Sequence, residues 1–198
     1  MLSPLLDELI KALRRLPGVG PKSAQRMAFY LLARDRMGGR VLGEQLQLAM
    51  QSIQHCRQCR TFSEHETCQL CCSPRRDQSI LCIVETPADQ MIIERSGFNG
   101  LYFVLHGHIS PLDGVGPDEL GLPDLAAYLK KSSIEEVILA TNPTVEGETT
   151  AHYIIQLVKP LNIKCSKIAH GVPMGSELDY LDPTTVSLAL AERKITNF

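Results

Sequence analysis

Cys56, Cys59, Cys68 and Cys71 stand as two C-x2-C pairs separated by eight residues. A two-residue gap lets a tight turn aim both sulfurs at one point, and two such turns can wrap a tetrahedral metal ion with four thiolates. Four-cysteine sites of this kind leave no coordination position for water, so they are structural rather than catalytic. The segment around them, His55 to Asp77, is short and polar. It has too few apolar side chains to offset its ordering entropy, and metal ligation supplies that free energy instead. The expectation is one structural Zn2+ per chain. Arg57, Arg60, Arg75 and Arg76 flank the sulfurs and are expected to offset the charge of the thiolates. A redox pair would need only one C-x2-C and leaves the second unexplained. Cys72 adjoins the last ligand as a competing thiol, whereas Cys82 and Cys165 fall in β-prone runs and read as core.

A second constellation is LPGVGPKSAQR, residues 16–26. Gly18 and Gly20 permit a tight turn and close approach of another molecule's backbone. The turn opens a helix, whose free N–H groups can hold a phosphate oxygen. Lys22 and Arg26, four apart, share one face of that helix. Together they make a grip on the phosphate backbone with no base-reading group, which implies sequence-independent DNA binding. The alternative is a helical turn that serves packing alone. The segment resembles the helix-hairpin-helix motif of repair proteins.

The third constellation is acidic. Glu85 ends a β-prone run in IVETPAD, and ATNPTVEGETT (140–150) follows another. Ligands of parallel α/β sheets bind beyond the carboxyl ends of strands. The pair of loops resembles the Toprim domain of topoisomerases, primases and related nucleases, where a Glu and a D-x-D hold magnesium. Glu85 matches the first acid, but Asn142 and Thr144 stand where the D-x-D is expected. Neutral oxygens hold a hard dication far more weakly than carboxylates do. Glu146 and Glu148 do not reproduce the active spacing. The loop, with Glu85, Asn142, Glu146 and Glu148, is therefore expected to meet a protein partner rather than to transfer phosphoryl groups. His106 and His108 are either metal ligands or ordinary loop histidines.

These groups need scaffolds of different kinds. Leu5, Leu6, Leu9, Ile10, Leu13 and Leu16 repeat at helical spacing up to Pro17-Gly18. A second helix is predicted over Ser23–Arg34, a break at Gly38-Gly39, and a third helix over Leu42–Ile53. Beyond the cysteines, ILCIVE (80–85), LYFVL (101–105), EVILAT (136–141) and CSKIA (165–169) read as strands. Helices are predicted between or after them near Ala88–Arg95, Pro117–Lys131, Thr149–Leu157 and Thr184–Arg193. Strands alternating with helices imply a parallel sheet covered on both faces. The predicted fold class is α plus α/β: a helical hairpin region (1–54), a small four-cysteine finger (55–77), a Toprim-like parallel α/β domain (78–172) and a C-terminal helical assembly segment (173–198).

The chain has 198 residues, 44% hydrophobic and 21% charged, as a globular protein requires. No run is apolar enough for a membrane span, and the N-terminus lacks the basic start and cleavage site of a signal peptide. A cytoplasmic protein is expected. Through Arg76 there are 12 Lys and Arg against 6 Asp and Glu, but from Asp77 onward 8 against 16. That asymmetry suits nucleic acid at one end and a different partner at the other.

The whole chain resembles the RecR family of bacterial recombination mediators: the hairpin LPGVGPKSAQR, the four-cysteine finger followed by PRRD, the IVETPAD and ATNPTVEGE loops, and GVPMGSELDYLD occur in the family's order. The resemblance implies a non-catalytic DNA clamp at the bacterial nucleoid, built as a homo-oligomeric ring, a tetramer. Such a clamp works with RecO and RecF to help RecA replace single-strand-binding protein on gapped DNA. Lys22 and Arg26 would line the DNA path, and the loop around Glu146 would engage RecO. The enzyme alternative is a magnesium-dependent Toprim nuclease or topoisomerase-like protein; a third reading is a zinc-ribbon interaction module with no DNA role.

Overall fold

A computed structural model of the chain describes residues 3–169, 171–173, 175–191 and 193. His170 and Met174 of the AHGVPMGSELDYLD stretch, Glu192 of the last predicted helix and residues 194–198 of the terminal segment lie outside the described residues. The chain divides into two units, Met1–Ile53 and Gln54–Phe198.

The first unit is helical: α1 (Pro4–Leu13), α2 (Pro21–Ala33) and α3 (Arg36–Ser52). Proline stands in the first turn of α1 and of α2, where its missing N–H costs nothing. Ala24 and Ala28, on one face of α2, are fully buried and let the neighbouring helices approach closely. The predicted break at Gly38-Gly39 is not there. α3 begins at Arg36 and both glycines lie in its first turn, because Asp35 caps it: the Gly38 N–H donates to Asp35 Oδ1 at 2.8 Å. The chain turns at Arg34-Asp35 instead. A strong N-cap outweighs the low helix propensity of two glycines.

The second unit is built on a four-stranded sheet of β3 (Asp77–Val84), β4 (Gly100–Val104), β5 (Glu136–Ala140) and β6 (Lys164–Lys167), all parallel, in the order β4-β3-β5-β6. Its crossovers carry α5 (Pro87–Arg95), α6 (Leu122–Lys131) and α7 (Val145–Val158). Side chains alternate between the two faces. Leu81, Ile83, Leu101, Phe103, Val137 and Leu139 form one core with Leu122, Leu125 and Leu129 of α6 and Ala151, Ile154 and Val158 of α7. Cys82, Val84, Tyr102, Val104 and Ala140 form a second core, with Ile93, Phe98 and the cysteine segment packed against them. That segment comprises a two-stranded antiparallel ribbon, β1 (Gln54–His55) with β2 (Phe62–Ser63), and the one-turn α4 (Gln69–Cys72). The last described helix, α8 (Pro183–Ala191), follows β6. Pro117–Gly121 is a turn before α6 rather than its first turn, and α7 starts four residues earlier than Thr149, capped by Thr144.

Candidate functional site

The four sulfurs of Cys56, Cys59, Cys68 and Cys71 all lie within 4.8 Å of one another. Thiolates around one tetrahedral zinc stand about 3.8 Å apart, given metal–sulfur bonds near 2.3 Å, so the cluster has the dimensions of a metal site. Local backbone turns create it. The Arg60 N–H donates to the Cys56 carbonyl at 2.9 Å, closing the first knuckle, and Arg60 takes the left-handed conformation there. The Cys72 N–H donates to the Cys68 carbonyl at 3.1 Å, closing the second. The Cys68 N–H donates to Cys56 Sγ at 3.3 Å, a contact that steadies a thiolate. A hydrogen bond from Cys71 pulls the Cys59 thiol down to about 6, while burial pushes Cys68 up to about 11 and the bond to Cys59 drives Cys71 higher still. A dication bound by the four sulfurs would favour their thiolate form. Cys72 is exposed and its thiol turns back to the Thr67 carbonyl, so it does not compete with Cys71.

Three of the four flanking arginines are engaged elsewhere than on the sulfurs. Arg57 pairs with Glu66 on the surface. Arg60 donates to the Leu120 carbonyl and lies over the Phe103 ring. Arg76 is buried, pairs with Glu94, donates to the Gly100 carbonyl at 2.7 Å and covers the Tyr102 ring. Arg60 and Arg76 thus tie the finger and its exit to the sheet, a role the spacing of charges did not reveal.

At the hairpin, Gly18 adopts φ +76°, the region that excludes most side chains, and Gly20 is the extended N-cap of α2. Lys22 and Arg26 are both exposed on that helix. Arg26 also edges an apolar groove of about 410 Å³ lined by Leu13, Leu16, Met27, Tyr30, Leu31 and Leu42.

The acidic loops converge at the carboxyl edge of the sheet. Glu85 is 3% exposed. The Asn142 N–H donates to Glu85 Oε1 at 2.7 Å, and the Asn142 side-chain amide donates to Oε2 at 2.9 Å. His108 Nδ1 lies 3.3 Å from the same Oε2. Thr144 is spent as the cap of α7, its hydroxyl accepting from the Gly147 N–H at 3.1 Å. Thr86 and Asp89 form a reciprocal capping box that starts α5 immediately after Glu85. Glu146 and Glu148 are exposed in the first turn of α7, and Glu148 pairs with Lys167. His106 stacks on His55 with ring centroids 4.4 Å apart, and its Nε2 is 2.6 Å from the Arg60 carbonyl. The two loop histidines are thus satisfied by protein groups. Among the described residues the four cysteines are the one cluster of metal-ligating side chains. Sequence reasoning missed Gly147 and Thr150. The buried Thr150 hydroxyl accepts from the Ile109 N–H at 2.8 Å and donates to the Glu146 carbonyl at 2.7 Å.

Comparison with known proteins gives three family matches in chain order. Residues 6–50 match the model described as RecR, helix-hairpin-helix; residues 79–169 match the Toprim domain; residues 171–194 match RecR, C-terminal. The chain is similar to the Recombination protein RecR of Stutzerimonas stutzeri (strain A1501), with 56% identity over 192 residues, 97% of this chain and 96% of that one. A helical hairpin, a four-cysteine cluster and a parallel-sheet Toprim domain, joined in this order and matched over nearly the full length, place the chain in the RecR family of recombination proteins.

Proposed function

We propose that the chain is a non-catalytic recombination mediator. It grips DNA without sequence preference through Gly18, Gly20, Lys22 and Arg26 and holds one structural Zn2+ on Cys56, Cys59, Cys68 and Cys71. The observation that carries the DNA assignment is the hairpin itself. A left-handed glycine leads into the exposed N-terminus of α2, and two cations follow on that helix. Zinc is the metal of choice because four soft, closely spaced sulfurs suit it.

Assembly as a ring-shaped tetramer is supported by the large apolar side chains that α2 and α3 leave exposed, among them Phe29, Tyr30, Leu46 and Met50. In this reading the organisation is a hairpin region to residue 54, the finger to 77, the Toprim-like domain to 172 and a C-terminal assembly segment. Glu146 and Glu148 present the carboxylates that engage RecO, and Glu85 with Asn142 shapes the loop that carries them. With RecO and RecF, the clamp helps RecA displace single-strand-binding protein in the bacterial cytoplasm. No helix among the described residues is long and apolar enough to cross a membrane.

The test is DNA binding by the full chain across a salt series. Lys22→Glu is expected to weaken binding to all sequences alike and to reduce the salt slope by about 1. Unchanged affinity and slope would remove the hairpin from the DNA path. Plasmid nicking in magnesium buffer that stops in Glu85→Ala would favour the enzyme reading instead.

A further inference from the structure

The Toprim fold implies a magnesium site where Glu85 meets the loop after β5, and the residues there do not fit one. A carboxylate serves a divalent cation through oxygen lone pairs at about 2.0–2.1 Å. In this chain both Glu85 oxygens already accept hydrogen bonds from Asn142, one from its main chain and one from its side chain. Those donors turn positive hydrogen toward the place a cation would take. Thr144, the second D-x-D position, keeps its oxygen for the Gly147 N–H. Gly147 packs against the same pair: a Cβ there would overlap the Asn142 carbonyl and stand 2.8 Å from Glu85 Oε1.

The same carboxylate lies at a junction of three crossovers. It follows β3 directly. The Gly107 N–H of the loop after β4 donates to the Glu85 carbonyl at 3.0 Å, and His108 meets its Oε2. The loop after β5 closes over it through Asn142 and Gly147. Thr150 of α7 then returns to the β4 loop at Ile109. A magnesium ion in an active Toprim site would bind acids from two of these loops to one centre. Asn142 does the same with amide hydrogens.

We infer that the Asn142 amide stands in for the cation at this site, so that Glu85 is a positioning residue in a metal-free latch, one substitution away from a divalent-cation site. Asn142→Asp removes the side-chain donor and sets a second carboxylate beside the first. Two such groups share a proton or take a cation between them. The wild type has neither need.

The experiment uses the full-length protein as purified, with Mn2+ binding followed by electron paramagnetic resonance and the melting temperature measured with and without about 10 mM Mg2+. Both ions prefer oxygen to sulfur and so leave the cysteine cluster alone. Wild type and Glu85→Gln are expected to bind Mn2+ indistinguishably and to ignore Mg2+. Asn142→Asp is expected to melt lower in the absence of cation, to gain one Mn2+ site, and to recover by about 3 °C or more in Mg2+. Adding Glu85→Gln to Asn142→Asp abolishes both gains. If Asn142→Asp does not fold in plain buffer, refolding with Mn2+ or Mg2+ rescues it. A wild-type Mn2+ site lost in Glu85→Gln overturns the inference, as does an Asn142→Asp protein, folded or not, that shows no response to either ion. None of these measurements reads DNA binding, so their failure leaves the hairpin assignment standing.

Discussion

The Val104 N–H donates to the Cys59 carbonyl at 2.9 Å, so the last residue of β4 is hydrogen-bonded to the first knuckle of the finger. Cys82, on the adjacent strand, is 2% exposed beneath the same sulfurs. The finger therefore covers one face of the sheet, and loss of a metal held by its cysteines is expected to uncover that face.

Chelation is expected to register at Cys82. In the metal-loaded protein a thiol reagent should modify the exposed Cys72 quickly and leave Cys82 untouched. A strong chelator, or Cys59→Ser, should release the remaining ligand cysteines and Cys82 together, counted by absorbance of the released chromophore. Burial pushes the Cys82 thiol up to about 12, against an ordinary value of 9.0. The shift is upward for an acid, so its contribution to stability is complete below pH 9 and is lost as pH climbs toward 12. Denaturation midpoints across that window check the sign, with Cys82→Ala expected to show a shallower decline than wild type.

Glu85→Ala should unfold more easily by about 2 kcal/mol, because it strands Asn142 donors that were bonded to a charged acceptor. Urea denaturation gives the value. Glu146→Ala, on the exposed first turn of α7, should change stability by less than about 0.5 kcal/mol, so that any effect it has on partner binding is read without a folding loss.

Gly147→Ala is expected to cost about 1–3 kcal/mol even though alanine is the better helix former. The new methyl meets main-chain oxygen of Asn142, which cannot move aside as a flexible side chain would. A melting temperature equal to or above wild type would show that the loop yields.

Arg76→Ala should destabilise by about 3 kcal/mol, since it removes a guanidinium that serves Glu94, the Gly100 carbonyl and the Tyr102 ring at once. Arg76→Lys should recover only part of the loss, because an ammonium cannot satisfy all three from one position. Equilibrium denaturation of the two variants side by side separates charge from shape.

Much of this arrangement was readable in the residues. The four strands fall within three residues of their predicted bounds, and β3, β4 and β5 do so because each is rich in β-branched or aromatic residues. The cysteine spacing led directly to the sulfur cluster. One concealed feature was local: Asp35 overrode a glycine pair through one hydrogen bond. The others were non-local. Arg60 and Arg76, expected beside the thiolates, are aimed at carbonyls and a carboxylate brought near only by the sheet. The mutual engagement of Glu85 and Asn142, 57 residues apart, depends on β3 and β5 being hydrogen-bonded neighbours, which no local pattern states.

The finger's borrowed interior has a bearing on how such chains diverge. Its buried sulfurs rest on Cys82, Val84, Tyr102, Val104 and Ala140, all contributed by strands of another segment. Residues 55–77 are consequently a poor graft: moved to a foreign scaffold, they would leave their floor behind. Drift in the even-numbered positions of β3 and β4 must be matched by drift in the knuckles above them.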